Sequence, residues 1–369
     1  MKILTIAGTR PQLVKVAAVS RELRKHFTEV LVNTGQHYDY NMAGVFFEEL
    51  QIPKPDYDLG VGSMSHGRQT GNMIIKVEEV VEKEQPDAIV VYGDTNSTLA
   101  GALVASKLHI PVVHIEAGLR SANKEMPEEI NRVMTDHVSE ILFAPTDRAV
   151  ENLKKENITN GVHLIGDVMY DAVLYNMRLA EESHSLSDYQ LTSKSYILAT
   201  IHRAENTDDR ERMNAIVNAF LELDSKLFLP LHPRTRKKLE SFGLMEKLKG
   251  ASNVILSEPI SYLEMLLMEK HAAAIVTDSG GVQKEAYFAK VPCFTLRNET
   301  EWVETVETGW NQLVNPLQDN LVERIYSFQL KEYRENLYGD GNAGKRITLL
   351  IKEYFSRAME GEELWAIQK

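Results

Sequence analysis

Short apolar runs alternate with amphipathic stretches along most of this chain. The runs KILTIAG (2–8), EVLVNTG (29–35), AIVVYGD (88–94), IPVVHIEAG (110–118), EILFAPT (140–146) and GVHLIGD (161–167) predict strands. Between them, GNMIIKVEEVVEKEQ and STLAGALVASKL space their apolar residues as helices do. Strands that are apolar throughout and alternate with helices indicate a parallel sheet, since each crossover lays a helix over one of its faces. The polar stretch EESHSLSDYQLTSKS (181–195) has no clear period and reads as a connection. The alternation then restarts with YILATIHR (196–203), KLFLPLHP (226–233), NVILSEP (253–259), AAAIVTD (272–278) and VPCFTLR (291–297). Two successive halves of similar size predict two doubly wound α/β domains facing across a cleft. The stretch GKRITLLIKEYFSRAM near the end has helical spacing and suits packing on either domain.

A length of 369 residues agrees with two domains at about 150 residues each. The formal net charge of −12 argues against general nucleic-acid binding, which needs a basic face to neutralise phosphates. It leaves room for an anionic small molecule, because a few cations in a cleft can outweigh the surface locally. A single cysteine, Cys293, rules out an intramolecular disulfide and suits a reducing compartment. Its setting, KVPCFTL, reads as a buried strand position rather than a catalytic thiol. The chain opens directly on a strand-like run, without the apolar stretch and cleavage site of a signal peptide. No run approaches the ~18 apolar residues of a membrane span. The expected setting is cytoplasmic, with neither nucleic acid nor membrane as partner.

Ligands of parallel α/β sheets bind beyond the carboxyl ends of the strands. In the first half those positions hold Gly8-Thr9-Arg10, Gly35-Gln36-His37, Gly93-Asp94-Thr95 and Glu116-Ala117-Gly118. In the second half they hold His202-Arg203, His232-Pro233-Arg234, Asp278-Ser279-Gly280-Gly281 and Arg297. The junction TDSGGVQKE joins a strand to a helix through two glycines. Such a helix N-terminus offers unpaired N–H groups and partial positive charge to a phosphate, and Ser279 adds a hydroxyl. Glu285 is then placed to accept two ribose hydroxyl hydrogens. The same stretch also reads as an ordinary glycine-rich turn with a serine N-cap. Arg10 and Lys15 either face a diphosphate or simply start and solvate a helix, with Pro11 suited to its first position.

Asp94 and Glu116 end two strands joined by one crossover and form a candidate acid/base pair. Glu128 and Glu129 follow Pro127 at a helix start, where acids also complement the helix dipole; for Glu129 that account is preferred. A cap role for Asp94 stays open. His202 and His232 end strands of the second half. With no HxH, HExxH or CxxC spacing, they read as phosphate or sugar contacts rather than metal ligands.

Taken in order, GTRPQLVK, GDTNSTLAGAL, HIEAGLRS, PEEINR, IHRAEN, TDSGGVQKEA and YGDGNAGKRI resemble the non-hydrolysing UDP-N-acetylglucosamine 2-epimerase family, from Met1 to about Ile351. The resemblance implies the GT-B architecture, two Rossmann-like domains with the substrate between them. On this basis residues 1–168 form an N-terminal domain carrying the catalytic carboxylates and 169–350 a UDP-binding domain, with the helix of 351–369 returning to the first. It implies an isomerase that needs no redox cofactor. The sugar–diphosphate bond breaks as the C2 proton leaves, giving a glycal and UDP, and re-addition inverts C2. Asp94, Glu116 and Glu128 fall on the family's essential carboxylates and His202 on its essential histidine. Arg10 and Lys15 match its diphosphate-side cations, and His232 reads as a further substrate contact. Ser279, Gly280 and Gly281 match the phosphate turn, Glu285 the ribose acid and Arg297 a uridine-side contact. Gln36, His37, Arg68 and Gln69 match a region where UDP-N-acetylglucosamine acts as an activator in bacterial members. A homodimer and a role in surface-polysaccharide precursor synthesis come from the resemblance alone.

Some positions depart from the pattern. Gln12-Leu13 stand where many members have Glu-Ala or Glu-Ile after GTRP. PLHPRTR and RNETEWVETVETGW look more like the branch acting on UDP-2,3-diacetamido-2,3-dideoxy-glucuronic acid, whose extra carboxylate Arg234 or Arg236 would meet. A GT-B glycosyltransferase would share the fold and the nucleotide turn but not need the three ordered acids. A sugar-nucleotide sensor would bind UDP and tolerate their loss.

Overall fold

The structure is a computed structural model that describes residues 1–36 and 50–367, with side chains described through Arg357. Two compact units emerge from it. One comprises Met1–Ala172 with Glu335–Lys369, the other Val173–Arg334.

The first unit is built on a wholly parallel sheet. Its strands are β1 (Lys2–Ala7), β2 (Thr28–Asn33), β3 (Tyr57–Asp58), β4 (Ala88–Tyr92), β5 (Val112–Ile115), β6 (Ile141–Ala144) and β7 (Val162–Leu164). Their spatial order is β3-β2-β1-β4-β5-β6-β7. Helices α1 (Arg10–Leu23), α2 (His66–Glu84), α3 (Asn96–Lys107), α4 (Pro127–Val138) and α5 (Asp147–Lys155) alternate with the strands. Every residue of β4 is buried, as expected of a central strand covered on both faces. The order reverses between β1 and β4. At that switch point neighbouring crossovers leave on opposite faces and open a crevice for ligand.

Helix α6 (Val168–Ser183) carries the chain into the second unit. Its parallel strands are β8 (Tyr196–Thr200), β9 (Lys226–Pro230), β10 (Val254–Ser257), β11 (Ala274–Thr277), β12 (Cys293–Thr295) and β13 (Asn311–Leu313), in the order β10-β9-β8-β11-β12-β13. Its helices are α7 (Ala204–Thr207), α8 (Arg210–Leu221), α9 (Pro233–Ser241), α10 (Met245–Lys249), α11 (Tyr262–His271), α12 (Gly280–Phe288), α13 (Val303–Glu307) and α14 (Leu321–Tyr326). Its switch point lies between β8 and β11. Both units are thus Rossmann-like, the pair from which GT-B proteins are made.

The closing helix α15 (Ala343–Ile367) packs on α1 in the first unit. Gly344 makes this close: a Cβ there would stand 2.9 Å from the Ala18 carbonyl oxygen. Its N–H donates to Asp171 Oδ2 at 2.8 Å, and Asp167 N donates to the Tyr338 carbonyl at 2.9 Å. The stretch from Glu335, which the sequence reading groups with the second domain as far as residue 350, therefore sits with the first unit.

All eleven strands expected from the apolar runs are present. Two others, β3 and β13, are edge strands of two and three residues, too short to show a period. The polar stretch 181–195 is a connection, but a packed one. It contains a 3-10 turn at Leu186–Tyr189, buries Leu191, and sets the Tyr189 ring edge-on to Phe228 at 5.2 Å. Cys293 is buried, and burial pushes its thiol up to about 12, so it is a core residue as expected. Among the described residues no helix is long and apolar enough to cross a membrane.

Candidate active site

At the first switch point, β1 passes through Gly8 into α1. A Cβ at Gly8 would collide with the hydroxyls of Thr34 and Ser97, so glycine is required where these loops meet. Gln12 closes the turn. Its Oε1 accepts from the N–H groups of Gly8 (2.9 Å) and Thr9 (3.2 Å), and its Nε2 donates to the Tyr92 carbonyl (2.7 Å) and to Thr98 Oγ1 (3.0 Å). The substituted position after GTRP thus ties the β1 and β4 loops together.

One turn into α1, Lys15 Nζ donates to Glu116 Oε2, beyond β5. Burial alone would lower the Lys15 pKa, but the charge and hydrogen bond of Glu116, with Asp167 and Asp94, raise it overall. Glu116 itself has φ +71°, in the left-handed region that costs a non-glycine residue energy. Gly93 also needs its φ of +63°; a Cβ there would lie 3.2 Å from Glu116 Oε2.

Asp94 Oδ2 bonds Arg132 Nη2 on α4. Arg132 also donates to Glu129 Oε2 at 2.8 Å. Glu129 is buried and accepts from Ser121 N (2.9 Å), Ser121 Oγ (3.0 Å) and Ala122 N (3.0 Å). Burial would raise its pKa, but these donors and Arg132 hold it below the usual carboxylate range. Glu129 therefore pins the loop before α4, while its neighbour Glu128 faces a pocket of about 240 Å³. Lys15, Asp94, Gln12, Gln36, Asn96 and Asn131 share its walls. Among the described residues the Glu128 carboxyl group has neither a hydrogen-bond nor an ion-pair partner.

Beneath this layer lies His114. Its Nε2 donates to the Gly93 carbonyl (2.8 Å), and its Nδ1 bonds Asp136 Oδ1 (2.6 Å). Asp136 also accepts from Gly118 N (3.0 Å) and Arg120 Nη1 (2.7 Å). Burial opposes ionisation of Asp136, yet His114 and Arg120 outweigh it and keep its pKa low. This buried network fixes the Asp94 and Glu116 loops relative to one another.

Gln36 and Gln69 belong to the same wall. Gln36 Oε1 accepts from Ser97 N (3.1 Å) and Oγ (2.7 Å); Gln69 Nε2 reaches the Gln36 carbonyl (3.4 Å), and its Oε1 accepts from Asn96 (2.8 Å). Arg68 and Arg10 are exposed. His37 lies outside the described residues.

In the second unit, Asp278 organises the switch point. Its buried carboxylate accepts from His202 N (3.0 Å), Arg203 N (3.0 Å) and Asn206 Nδ2 (3.0 Å), locking the turn after β8 to the end of β11. The His202 ring lies 3.4 Å from Asp278 Oδ1 and 5.7 Å between centroids from His232. Burial, with the charges of His232 and Arg203, lowers its pKa despite Asp278, so the neutral imidazole is favoured. Ser279 is the N-cap of α12, yet its hydroxyl makes no cap hydrogen bond. Arg297 is almost buried and pairs with Glu301 at 2.8 Å. That carboxylate also approaches Arg203 (3.9 Å) and Gly280 at the helix N-terminus, an anion where a phosphate is expected. Glu285 is buried one turn further on and accepts from Tyr262 Oη at 2.9 Å.

The expected residues thus form two groups. Lys15, Asp94, Glu116, Glu128 and Gln36 gather at the first switch point. His202, His232, Ser279, Gly280, Gly281, Glu285 and Arg297 lie around the second. Sequence reasoning missed Arg132, Asn131 and the His114–Asp136 pair, and it placed Asp278 at a strand end without its role in fixing the turn after β8. The one local signal was the i,i+4 spacing of Asn131 with Thr135 and Arg132 with Asp136, polar residues placed to share helix faces that a structure can bury.

The profile of a family described as UDP-N-acetylglucosamine 2-epimerase matches residues 21–352. The chain belongs to that family. Within the 2-epimerase family, a UDP-N-acetylglucosamine 2-epimerase homolog of Methanococcus maripaludis is 54% identical over 355 residues, 95% of this chain and 99% of the relative. The UDP-2,3-diacetamido-2,3-dideoxy-D-glucuronate 2-epimerase of Pseudomonas aeruginosa is 48% identical over 357 residues, 94% and 98% of the two chains. The solved UDP-GlcNAc 2-epimerase of Methanocaldococcus jannaschii covers 96% of this chain and 100% of its own, with TM-score 0.87 and 45% identity. Its complex with UDP-GlcNAc and UDP aligns over the same shares, with TM-score 0.80 and 46% identity. Epimerases of two different sugars thus stand at comparable identity, so identity alone does not choose the substrate.

Proposed function

We propose that this protein is a UDP-N-acetylhexosamine 2-epimerase that interconverts UDP-GlcNAc and UDP-ManNAc to supply surface-polysaccharide precursors. The observation that carries this reading is the grouping of Asp94, Glu128 and the Lys15–Glu116 pair at one switch-point pocket.

The C2 hydrogen of the sugar has no neighbouring carbonyl, so it is not acidic enough for simple removal. Breaking the C1–O bond at the same stage solves this. A carboxylate takes the C2 proton, the C–H electron pair becomes the C1–C2 double bond, and the C1–O pair leaves with UDP. Return of UDP to C1, with protonation of C2 on the opposite face, gives the epimer. The reaction needs two proton-carrying groups and a firm hold on UDP. Arg132 and Lys15 orient the Asp94 and Glu116 carboxyls, and Glu128 shares the pocket with Asp94; these acids carry the proton off one face of C2 and onto the other. The strained backbone of Glu116 supports a role beyond packing.

UDP is assigned to the second unit. The α12 N-terminus with Ser279, Gly280 and Gly281 takes the phosphates, Glu285 the ribose and Arg297 the uridine side, with His232 as a further contact. Phosphate would displace Glu301 as partner of this turn. His202, neutral beforehand, gains protonation tendency as negative charge develops nearby, and so stabilises the departing UDP. Gln36, Arg68 and Gln69 are proposed to serve an activating second UDP-sugar, and the enzyme to work as a cytoplasmic homodimer.

The diacetamido-glucuronate reading needs a cation for the extra carboxylate. Arg234 is bound to Thr207 and Asp208, and Arg236 to Glu258 at 2.6 Å. Amide side chains of Gln12, Gln36, Asn96 and Asn131 instead line the first pocket, which suits an uncharged acetamido sugar. The test is to start from each epimer in turn, with no acceptor. Convergence on one mixture supports the epimerase. No conversion without an acceptor, but transfer with one, would indicate a glycosyltransferase.

A further inference from the structure

Behind the proposed ribose acid lies a second acid. Glu269, on α11, is completely excluded from solvent, and among the described residues neither carboxyl oxygen has a backbone or side-chain N–H, hydroxyl or ammonium donor in reach. It faces Glu285 on the neighbouring α12 and is within hydrogen-bonding reach of it. Two carboxylates buried face to face cannot both be ionised, because neither has a hydrogen to offer the other. One must keep a proton, and that proton then joins the pair.

The surroundings decide which one. Glu285 already accepts from Tyr262 Oη and feels the charge of Lys284 on its own helix. Among the described residues Glu269 faces no cation. Its other titratable neighbours are Tyr196 on β8, which donates to the Met268 carbonyl, and the Cys293 thiol on β12, both unable to stabilise an anion there. The proton therefore resides on Glu269, which donates to Glu285. Glu285 Oε1 is held by Tyr262, while Oε2 looks toward the Ser279–Gly281 turn, 4.0 Å from where a Gly281 Cβ would stand.

We propose that Glu269 is a positioning residue for nucleotide binding, a neutral carboxylic acid whose O–H holds Glu285 as the anionic acceptor for the vicinal hydroxyls of a ribonucleoside diphosphate. This rests on the reading of Glu285 as the ribose contact. Burial is the largest influence and leaves the Glu285 pKa raised, while the hydrogen bonds from Tyr262 and Glu269 and the charge of Lys284 work against it and favour the anion.

Calorimetric binding of UDP and 2′-deoxy-UDP across pH 6 to 9 separates the two claims. Wild type should favour UDP, and Glu285→Gln should erase that preference. Glu269→Met removes the donor, so UDP affinity at neutral pH should fall about 10-fold, the scale of one charge-assisted hydrogen bond, and recover as pH rises. Glu269→Gln keeps a donor and should bind UDP with a wild-type pH profile. If Glu285→Gln leaves the ribose preference intact, the ribose reading fails and takes the inference with it. If Glu285→Gln erases it but Glu269→Met keeps the wild-type affinity and pH profile, only the inference is overturned. Should Glu269→Met fail to fold, infrared spectra decide: the carbonyl stretch of a protonated acid should be present in wild type at pH 8 and absent in Glu269→Gln. Its absence from wild type overturns the proposal.

Discussion

The Lys15 ammonium donates to Oε2 of Glu116, and Glu116 holds that position with a left-handed backbone. The residues are 101 positions apart, one in the second turn of α1 and the other beyond β5. If they act as a unit, Lys15→Met and Glu116→Gln should each lower turnover by at least ~100-fold, as loss of a charge-positioning contact does. The double variant should then lose little more than the worse single one. Multiplicative losses in steady-state rates would show that the two act separately.

Asp94 and Glu129 share Arg132, yet the structure gives them different tasks. Asp94→Asn and His202→Ala should each cut turnover by at least ~100-fold while leaving thermal stability near wild type. Glu129→Gln should instead lower the melting temperature, because its carboxylate anchors Ser121 and Ala122. A cost of about 1–3 kcal/mol is expected for the lost charged acceptor. A stable Glu129→Gln enzyme with turnover as low as Asp94→Asn would move Glu129 into the chemistry.

Asp171 gives a pH-dependent stability. Its pKa is raised from 3.8 to about 6, first by burial and then by Asp167 and Asp340, against the N–H groups of Gly344 and Ala343. The folded value lies above the unfolded one, so the folded state binds this proton more tightly. The associated stability is present below about pH 4 and is lost as pH rises through about 6. The swing is at most ~3 kcal/mol, reduced by solvent screening. Asp171→Asn, which keeps an acceptor for Gly344, should raise the melting temperature at pH 8 but not at pH 4. A lower melting temperature at both would mean that the anion's attraction to the α15 N-terminus dominates.

Gly8→Ala tests the packing at the first switch point. The added methyl would run into Thr34 and Ser97, whose hydroxyls are hydrogen-bonded at 2.8 Å. Denaturant unfolding should show a loss of about 1–3 kcal/mol, the usual cost of overpacking, together with reduced turnover. Unchanged unfolding would show that the loops yield freely there.

The legible parts of this protein were those written locally. Apolar runs such as AIVVY and YILAT announce strands whatever surrounds them, and the residues at their ends, Asp94, Glu116 and His202, follow from the topology of a parallel sheet. The support of those residues was not local. Arg132 reaches Asp94 from 38 positions away, His114 reaches Asp136 across 22, and Asp278 reaches His202 across 76. Glu269 lies in the helical run YLEMLLMEKH, where nothing nearby reveals that its carboxyl is buried against Glu285. The edge strands β3 and β13 were hidden for a simpler reason: two or three residues carry no period.

Solvent deuterium offers the most direct test of the central claim, that the C2 hydrogen leaves and returns through protein acids. UDP-GlcNAc is incubated with the enzyme in deuterium oxide without acceptor, and the C2 signal is followed by NMR. The account predicts deuterium at C2 together with the manno epimer, and neither in Asp94→Asn. Epimerisation with the original hydrogen retained at C2, or a folded, UDP-binding protein that exchanges nothing at C2 of this sugar, would contradict it.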